Sequence, residues 1–340
     1  MTIERPLVSI VTTSFNSAAY LGDLIAAVEA QTYDNIEHVM VDGVSDDGTV
    51  DLIRQYAERR RVNWVSEPDG GAADATTKGL RMATGDIVVL VPSDDLIFPW
   101  SVETAVNYLQ DHSDVDVVHG DSISWDVSTD DWSLRLYKPF SYGYLARTQI
   151  ITPQATYFRR YVISGNEELD TSLKHANDYD WVLRLTRHRK VANIHEFLAI
   201  FRKRPGAINY REGVGEEVAR EANVARARYI RTTGPVHRVM ITWDRIYGAV
   251  HRRIQIFKLV KYSRRADSDG TGLNPNTPWR QFLTAYSVSG SSGLRLLTAF
   301  LPCRRRYPLD VRSRPTATSL GAAERPNVGS PTKDKSRDPS

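Results

Sequence analysis

Residues 7–16 read LVSIVTTSFN, and this stretch decides the fold class because a strand-like apolar run ends abruptly in a polar loop. The β-branched run at 7–13 is typical of a buried strand. Further strand-like runs alternate with helix-like segments and short turns, which predicts an α/β fold with a mostly parallel, doubly wound sheet. The predicted strands are residues 7–13, 36–41, 62–65 and 87–91, and the predicted helices are residues 18–31, 49–59 and 72–83.

The later sequence carries weaker patterns. Residues 126–150 are polar, aromatic and irregular, which is typical of a loop-rich excursion, whereas residues 213–230 read as a charged helix. A helix and a strand are expected between residues 100 and 125, the strand being at 115–119. Two further elements are expected at residues 155–159 and 179–185.

Acidic residues follow three of the predicted strands. Asp42 follows the second strand, Asp69 follows the third, and Asp94 and Asp95 follow the fourth. Because ligands of such sheets bind at the carboxyl ends of the strands, these carboxylates are expected to line one crevice. The loop after the first strand has no glycine-rich pattern, which argues against a dinucleotide fingerprint and a P-loop.

Each of these acidic positions also has a structural interpretation. Asp94 and Asp95 suit a divalent cation held against a diphosphate, but either could instead cap the following helix or shape a turn. Asp42 can accept hydrogen bonds from a nucleobase or ribose, or it forms an Asx turn before Gly43. Lys78, on the third helix, reaches a phosphate or is a solvated surface lysine.

The second half of the chain contributes the stretch NDYDW at residues 177–181. Aromatic burial beside Asp178 and Asp180 would raise a carboxyl pKa, which suits a general base. The alternative is a helix start at which one of these two acids is the N-cap.

Taken in order, these motifs resemble the family 2 inverting glycosyltransferases, whose fold is called GT-A. The chain looks most like the bacterial members that build surface polysaccharides or glycolipids, over about residues 6–210. The resemblance implies a catalytic domain at residues 1–230, with a nucleotide-sugar half at 1–98 and an acceptor half at 99–230. The matching stretches are VSIVTTSFN at 8–16, QTY at 31–33, VDG at 41–43, SDDGT at 45–49, SEPDGG at 66–71, KG at 78–79, ATGD at 83–86 and SDD at 93–95.

The resemblance implies a donor site in the first half. Thr12 and Asp42 would hold the nucleoside, usually uridine in this family, with Asn16 in the same site. Asp69 and Lys78 would lie near the base, the ribose or the diphosphate.

The resemblance also implies the groups that carry the reaction. Asp95 would bind a divalent cation, Mn²⁺ or Mg²⁺, directly, and Asp94, in the same metal motif, would lie nearer to the ribose or donor sugar. Asp178 would be the catalytic base. It would accept the proton of an acceptor hydroxyl that attacks the anomeric carbon from the face opposite the diphosphate, so the configuration inverts.

Three positions depart from the family pattern. Many members have His-Gln where this chain has Pro153 and Gln154, and many have Glu at the position of Asn177. Arg204 stands where a metal-binding histidine is common, and it would neutralise phosphate directly. The Gln-x-x-Arg-Trp motif of processive synthases is absent. The predicted function is therefore transfer of one sugar from a UDP-linked donor to a hydroxyl of a glycan or lipid-linked acceptor in cell-envelope synthesis.

Composition sets the cellular context. The 340 residues are 41% hydrophobic and 25% charged, an ordinary globular composition. Cys303 is the single cysteine, so an intrachain disulfide and a cysteine-based zinc site are excluded. The N-terminus does not read as a signal peptide, and no apolar run approaches the ~18 residues of a membrane-spanning helix. A cytoplasmic protein is expected.

Charge divides the chain into an acidic N-terminal segment, residues 1–230, and a basic C-terminal segment, residues 231–340. Residues 1–230 hold 24 Lys and Arg against 34 Asp and Glu, a net of −10, whereas residues 231–340 hold 20 against 7, a net of +13. Residues 231–306 are predicted to form a basic amphipathic helical extension, and residues 307–340 a disordered tail. We expect the extension to attach peripherally to the anionic inner face of the plasma membrane. The alternative is a helix that packs on the catalytic domain.

Other functions compete with sugar transfer. A nucleotidyltransferase also uses a nucleotide-binding sheet and a carboxylate-held metal, but it needs a glycine-rich and basic first loop, which residues 12–16 lack. A non-catalytic nucleotide-sugar binder stays open as a minor alternative because of the departures at Pro153, Asn177 and Arg204. No nucleic-acid-binding module is recognisable.

Overall fold

Alternating strands and helices build the first half of the fold. Each predicted element of this half is confirmed, with ends that differ by no more than a few residues. Strands form where β-branched residues are continuous, and helices form where apolar residues recur at helical spacing. The elements are β1 Val8–Ser14, α1 Ala18–Glu29, β2 Ile36–Asp42, α2 Thr49–Ala57, β3 Val62–Ser66, α3 Ala72–Met82 and β4 Ile87–Leu90.

The second half departs further from its prediction. The loop-rich interpretation of residues 126–150 is wrong in part, because this segment contains a strand and a short helix. A long strand that ends at Lys203 was not predicted at all. The elements are β5 Leu96–Ile97, α4 Ser101–Asp111, β6 Val117–Asp126, β7 Asp131–Arg135, α5 Tyr142–Leu145, a 3₁₀ helix Pro153–Ala155, β8 Thr156–Arg159, α6 Arg160–Ile163, α7 Asn177–Thr186, β9 Val191–Lys203 and α8 Gly215–Tyr229.

The structure is a computed structural model that describes residues 5–135, 137, 140–146, 151–205, 207 and 213–229. The predicted basic extension and the predicted tail lie outside the described residues. Within these ranges, no helix combines the length and the apolar character that crossing a bilayer requires.

One mixed sheet organises the described residues, in the strand order β3-β2-β1-β4-β8-β6-β9-β5, with β7 paired to β6. Strands β3, β2, β1 and β4 are parallel. Strand β8 is antiparallel to both β4 and β6, so β6 runs in the direction of β4, and β9 is parallel to β6. The carboxyl ends of β1, β2, β4, β6 and β9 therefore share one edge, and the α/β fold prediction is confirmed.

Helices cover both faces of this sheet. One apolar cluster joins Leu21 and Leu24 of α1 to the sheet, and a second joins Leu80 of α3 and Trp181 of α7 to the opposite face. Helix α3 lies close to β1, since a Cβ on Gly79 would be 2.5 Å from Val11 Cγ1. Helices α3 and α7 thus pack on the same face.

The loop between β2 and α2 is held by Asp47. Its Oδ1 accepts hydrogen bonds from the Thr49 backbone N–H at 3.0 Å and hydroxyl at 2.5 Å, and its Oδ2 accepts one from the Ala18 N–H at 2.9 Å. One carboxylate therefore ties the starts of α1 and α2 together. Asp47 is therefore a structural residue, and the loop that it anchors borders the carboxyl edge of the sheet.

Candidate active site

Asp42 lies at the carboxyl end of β2, where the strand register places it between Ser14 of β1 and Ser66 of β3. Its Oδ1 accepts hydrogen bonds from the hydroxyls of Ser14 at 3.1 Å and Ser45 at 2.5 Å. Its Oδ2 accepts them from the Ser66 hydroxyl at 2.8 Å and the Ser45 N–H at 2.9 Å. The buried carboxylate is thus held by four donors, three of which are rotatable hydroxyls.

An exposed aromatic ring lies beside this carboxylate. Phe15 is 62% exposed although it directly follows β1. A Cβ on Gly43 would lie 3.3 Å from Phe15 Cδ2 and 2.7 Å from Asp69 Oδ2, so these three residues meet and a side chain at position 43 would displace the Asp69 carboxylate. An exposed ring at the mouth of a crevice offers an apolar face for a planar ligand.

The backbone around Phe15 is strained. Asn16 has a φ of 47° and Val44 has a φ of 63°, and a β-branched residue in this region is uncommon. Asn16 Oδ1 accepts a hydrogen bond from the Asp46 N–H at 3.1 Å, and the Asn16 N–H donates to Ser45 Oγ at 2.9 Å. These bonds hold the strained loops in place, and such strain concentrates at functional sites.

Lys78 braces the loop that follows β3. Its ammonium group lies 2.9 Å from Glu67 Oε1 and 3.4 Å from Asp74 Oδ2, and it donates to the Pro68 carbonyl at 2.9 Å. The hydrogen bond to Glu67 is the main cause that raises the pKa of Lys78. Lys78 is thus a surface lysine with acidic partners, and its contact with a phosphate stays a prediction. Asp69 Oδ1, in the same loop, accepts the Gly71 N–H at 2.8 Å.

Thr12 lies inside the sheet and not at its edge. Its hydroxyl donates to the Val91 carbonyl at 2.8 Å and lies 2.8 Å from His38 Nε2. His38 Nε2–H is then the donor to Thr12, and His38 Nδ1 is free to accept from the Tyr56 hydroxyl at 3.3 Å. The chain of bonds suits a neutral imidazole, and burial lowers the pKa of His38 to about 3. The Thr12 hydroxyl is therefore engaged within the sheet, and the prediction that Thr12 holds the nucleoside stays a prediction.

Asp94 and Asp95 are paired with residues of β9 and its end. Arg204 Nε lies 2.6 Å from Asp94 Oδ2, and the Arg202 backbone N–H donates to Asp95 Oδ1 at 2.7 Å. The alternative that either acid caps the next helix is wrong, because α4 begins at Ser101 after Trp100 as its N-cap. Both acids are instead held by the end of the unpredicted strand β9: Asp95 by Arg202 of the strand, and Asp94 by Arg204, which directly follows it.

Aromatic and acidic groups fix the two arginines. The guanidinium carbons of Arg202 and Arg204 lie 5.2 and 5.3 Å from the centroid of the Tyr20 ring, a cation–π arrangement. Arg202 also forms an ion pair with Asp23 of α1 at 2.9 Å. Arg202 is buried, whereas Arg204 remains partly exposed at the edge of the sheet.

The acidic pair fits a hard divalent cation on chemical grounds, because carboxylates combined with substrate phosphates are typical Mg²⁺ and Mn²⁺ ligands. Burial raises the pKa of Asp95 well above its ordinary value, and the nearby charge of Asp94 adds to the rise. A cation would relieve this repulsion. Among the described residues, no histidine, cysteine or further carboxylate joins Asp94 and Asp95 as a third ligand. Phosphate and water would therefore supply the other ligands.

Asp178 lies in the first turn of α7. This helix is followed by β9, which begins at the amino edge of the sheet, so α7 runs antiparallel to the strands and begins toward their carboxyl ends. Asp178 Oδ1 accepts the Tyr179 N–H at 2.7 Å. The alternative N-cap role for Asp178 or Asp180 is wrong, because the N-cap position is Ala176.

Ser45 links two of the predicted positions of the first half, because its hydroxyl accepts from the Asn16 N–H and donates to Asp42. The Ser93 hydroxyl donates to Ser17 Oγ at 2.8 Å, which links the acidic pair to the loop that carries Phe15 and Asn16. The direction of α7 places its first turn, which carries Asp178, toward the same side of the sheet, and the role of Asp178 stays a prediction. Sequence reasoning missed Phe15, whose signal was an aromatic residue directly after a strand. It also missed Arg202, which no local pattern marks.

Comparison with known proteins adds an independent observation. The family model for glycosyl transferase family 2 matches residues 9–170. An uncharacterized glycosyltransferase of Mycobacterium tuberculosis is 34% identical over 186 residues, which cover 53% of this chain and 69% of that protein.

Solved structures share the fold. Staphylococcus aureus TarS in complex with UDP-GlcNAc superposes with a TM-score of 0.54 at 19% identity, over 64% of this chain and 65% of that one. The mannosyltransferase PcManGT from Pyrobaculum calidifontis, in complex with GDP-Man and Mn²⁺, superposes with a TM-score of 0.53 at 18% identity, over 84% and 86%. At such identities the similarity shows a common fold.

Proposed function

Because the chain belongs to glycosyl transferase family 2 and is therefore a glycosyltransferase, we propose that it transfers one sugar, with inversion, from a UDP-linked donor to a hydroxyl of a glycan or lipid-linked acceptor. The observation that carries this proposal is the carboxyl edge of the sheet. There, an exposed ring, a serine-held carboxylate and an arginine-paired acidic motif occur side by side.

The nucleoside is assigned to the pocket at the ends of β1, β2 and β3. Phe15 would stack on the base, and Asp42 and Asn16 would face its polar edge. The serine hydroxyls on Asp42 can rotate, so an N–H of the base can replace one of them without leaving the carboxylate unpaired. Asp69 lies against the same pocket, and Lys78 holds its loop. TarS, which shares the fold, was solved with UDP and with UDP-GlcNAc, which supports a uridine donor.

The diphosphate is assigned to the acidic motif and Arg204. Asp95, with Asp94, would hold Mn²⁺ or Mg²⁺, which when bound supplies positive charge to the leaving diphosphate. The pairing with Asp94 keeps the Arg204 guanidinium at the edge, where its planar donors suit a phosphate. Binding of a donor would then exchange the Asp94–Arg204 contact for contacts to phosphate oxygens. PcManGT, a protein of the same fold, was solved with Mn²⁺ and GDP-Man.

The proton transfer is assigned to Asp178. The acceptor oxygen forms a bond to the anomeric carbon while the bond between that carbon and the diphosphate breaks, and its electron pair leaves with the diphosphate. The Asp178 carboxylate takes the proton of the acceptor hydroxyl. A single displacement of this kind inverts the anomeric configuration and needs no covalent enzyme intermediate.

The replacement Asp178→Asn tests the proposal. Loss of a general base lowers rates by ~100- to 10,000-fold. We therefore expect the transfer rate of Asp178→Asn to fall by this factor, while the donor affinity measured by calorimetry stays unchanged. Transfer is measured as nucleoside diphosphate release from donors in the presence of glycan and polyprenyl-linked acceptors. The exposed Asp111→Asn serves as the matched control and should keep full activity. Transfer that survives in Asp178→Asn would reject this base.

A further inference from the structure

Helix α7 begins without a capping side chain of its own. Its N-cap residue is Ala176, which offers no hydrogen-bond acceptor to the free N–H groups of the first turn. This turn carries Asn177, Asp178 and the buried Asp180. Asp178, the base assigned above, therefore lies at a helix start that its own N-cap side chain does not hold in place.

Glu221 of α8 binds the backbone at the N-cap residue and at the residue before it. Its side chain is buried, and its Oε2 accepts hydrogen bonds from the N–H groups of His175 at 2.7 Å and Ala176 at 3.2 Å. Burial alone would raise the pKa of Glu221, but the backbone N–H groups of His175, Lys174 and Ala176 outweigh it and the pKa is lowered. An ionised carboxylate from a second helix thus holds the backbone just before Asp178.

Two further contacts hold the same turn from α8. Arg228 Nη1 lies 3.0 Å from Asp180 Oδ1, and it also reaches Asp170 at 2.6 Å. Arg226 donates to the Tyr179 hydroxyl at 3.3 Å, and that hydroxyl donates to the Leu145 carbonyl at 2.6 Å. Tyr179 and Asp180, both in the first turn of α7, are therefore held by side chains of α8.

Helical spacing explains how α8 makes the contacts of Glu221 and Arg228. Glu221, Ala225 and Arg228 are separated by four and three residues, so they lie along one face of α8. Glu221 and Ala225 are the buried residues of this helix. The family model ends at residue 170, so both α7 and α8 lie beyond the part that it matches.

We propose that Glu221 is a positioning residue for sugar transfer, which caps α7 from α8 and thereby sets the direction of the Asp178 carboxylate. This inference rests on the proposed function, since it takes Asp178 as the base. A misplacement of a reacting group by ~1 Å can cost ~100-fold in rate. Loss of the cap should therefore lower turnover while the donor site, at the ends of β1 to β4, keeps its affinity.

The test compares three replacements of Glu221 in the full chain. Glu221→Ala removes the acceptor, and Glu221→Asp shortens its reach by one methylene group. Both should lower kcat by ~10- to 100-fold, with calorimetric donor affinity unchanged. Glu221→Gln keeps an acceptor oxygen and should retain kcat within ~3-fold. Glu216→Ala, at an exposed position of α8, is the matched control and should leave kcat unchanged.

A second arm separates positioning from folding. In an Asp178→Asn background, Glu221→Ala should lower the residual rate no further, because the group that it orients is gone. An unchanged kcat in Glu221→Ala overturns the inference, and so does a parallel loss of donor affinity and thermal stability in all three variants. If the wild-type chain itself transfers no sugar from any nucleotide sugar, the proposed function fails instead.

Discussion

At the scale of single residues, the carboxyl edge is marked by side chains in unfavourable positions. Phe15 exposes 62% of its surface and Val44 exposes 52%. Val44 also keeps a positive φ, and strain of this kind costs ~1–3 kcal/mol. Neither feature stabilises the fold. Together they indicate a surface shaped for a ligand, which we assign to the nucleoside.

The Phe15 ring should therefore contribute directly to nucleotide binding. Stacking of a base on an aromatic side chain is worth ~1–3 kcal/mol, so Phe15→Ala should weaken UDP binding by ~5- to 150-fold, whereas Phe15→Tyr should retain it. Titration calorimetry with UDP measures the difference. Val224→Ala, an exposed apolar position on α8, is the control. Equal UDP affinity in Phe15→Ala and the wild type would remove Phe15 from the site.

Sequence alone located the residues that follow predicted strands, because topology fixes where strands end. Asp42, Asp94 and Asp95 were found in this way. Arg204 was named from the resemblance, but its contact with Asp94 was not predicted, because the two are 110 residues apart in the chain and only tertiary folding brings them together. The contact between Glu221 and the start of α7 could not be predicted either, because its partners are also far apart in the chain.

At the scale of elements, the parallel half was predictable and β9 was not. The strands β1, β2 and β4 each contain a compact group of apolar, mostly β-branched residues and are buried on both faces, so their pattern is local and clear. Strand β9 mixes apolar residues with His195, Glu196 and Arg202, which breaks the alternation that marks a strand. Its pairing with β6 also contains a register shift near Asp121. Tertiary pairing therefore stabilises a strand that the local pattern does not predict.

Buried histidines in β2 and β6 should make the fold sensitive to acid. Burial lowers the pKa of both His38 and His119 to about 3, whereas a histidine in the unfolded chain titrates near pH 6.5. Between about pH 3 and 6.5 the unfolded chain binds more protons, so the free energy of unfolding falls as the pH drops through this window. It gains nothing further from these groups above pH 6.5.

Urea unfolding at several pH values measures this effect. Each buried histidine contributes at most ~1.4 kcal/mol per pH unit. His38→Gln, a neutral replacement with a donor and an acceptor, should therefore reduce the slope between pH 6 and pH 4 by about that amount. His112→Gln, at an exposed position, should leave the slope unchanged. Identical slopes for His38→Gln and the wild type would contradict the assigned burial.

At the scale of the whole molecule, charge separates the catalytic part from the rest of the chain. The net charge is −10 over residues 1–230 and +13 over residues 231–340. The described residues all belong to the acidic part, so membrane attachment by the basic part stays a prediction. Such attachment would bring the enzyme to lipid-linked acceptors.

Co-sedimentation of the full chain with vesicles tests this attachment. At low salt the protein should pellet with phosphatidylglycerol vesicles and stay in solution with pure phosphatidylcholine vesicles. Added salt should release it, because screening weakens attraction between exposed charges. If the full chain does not pellet with anionic vesicles at low salt, the prediction of peripheral membrane attachment is wrong. The assignment as a transferase would not be affected.

The central claim is that the carboxyl edge of the sheet binds a nucleoside diphosphate sugar. A calorimetric titration of the full chain with UDP- and GDP-linked sugars, with and without Mn²⁺, tests it most directly. We expect saturable binding of a UDP-linked sugar that strengthens with Mn²⁺ and weakens in Asp95→Asn. The absence of binding by every nucleotide sugar, with and without Mn²⁺, would contradict the claim.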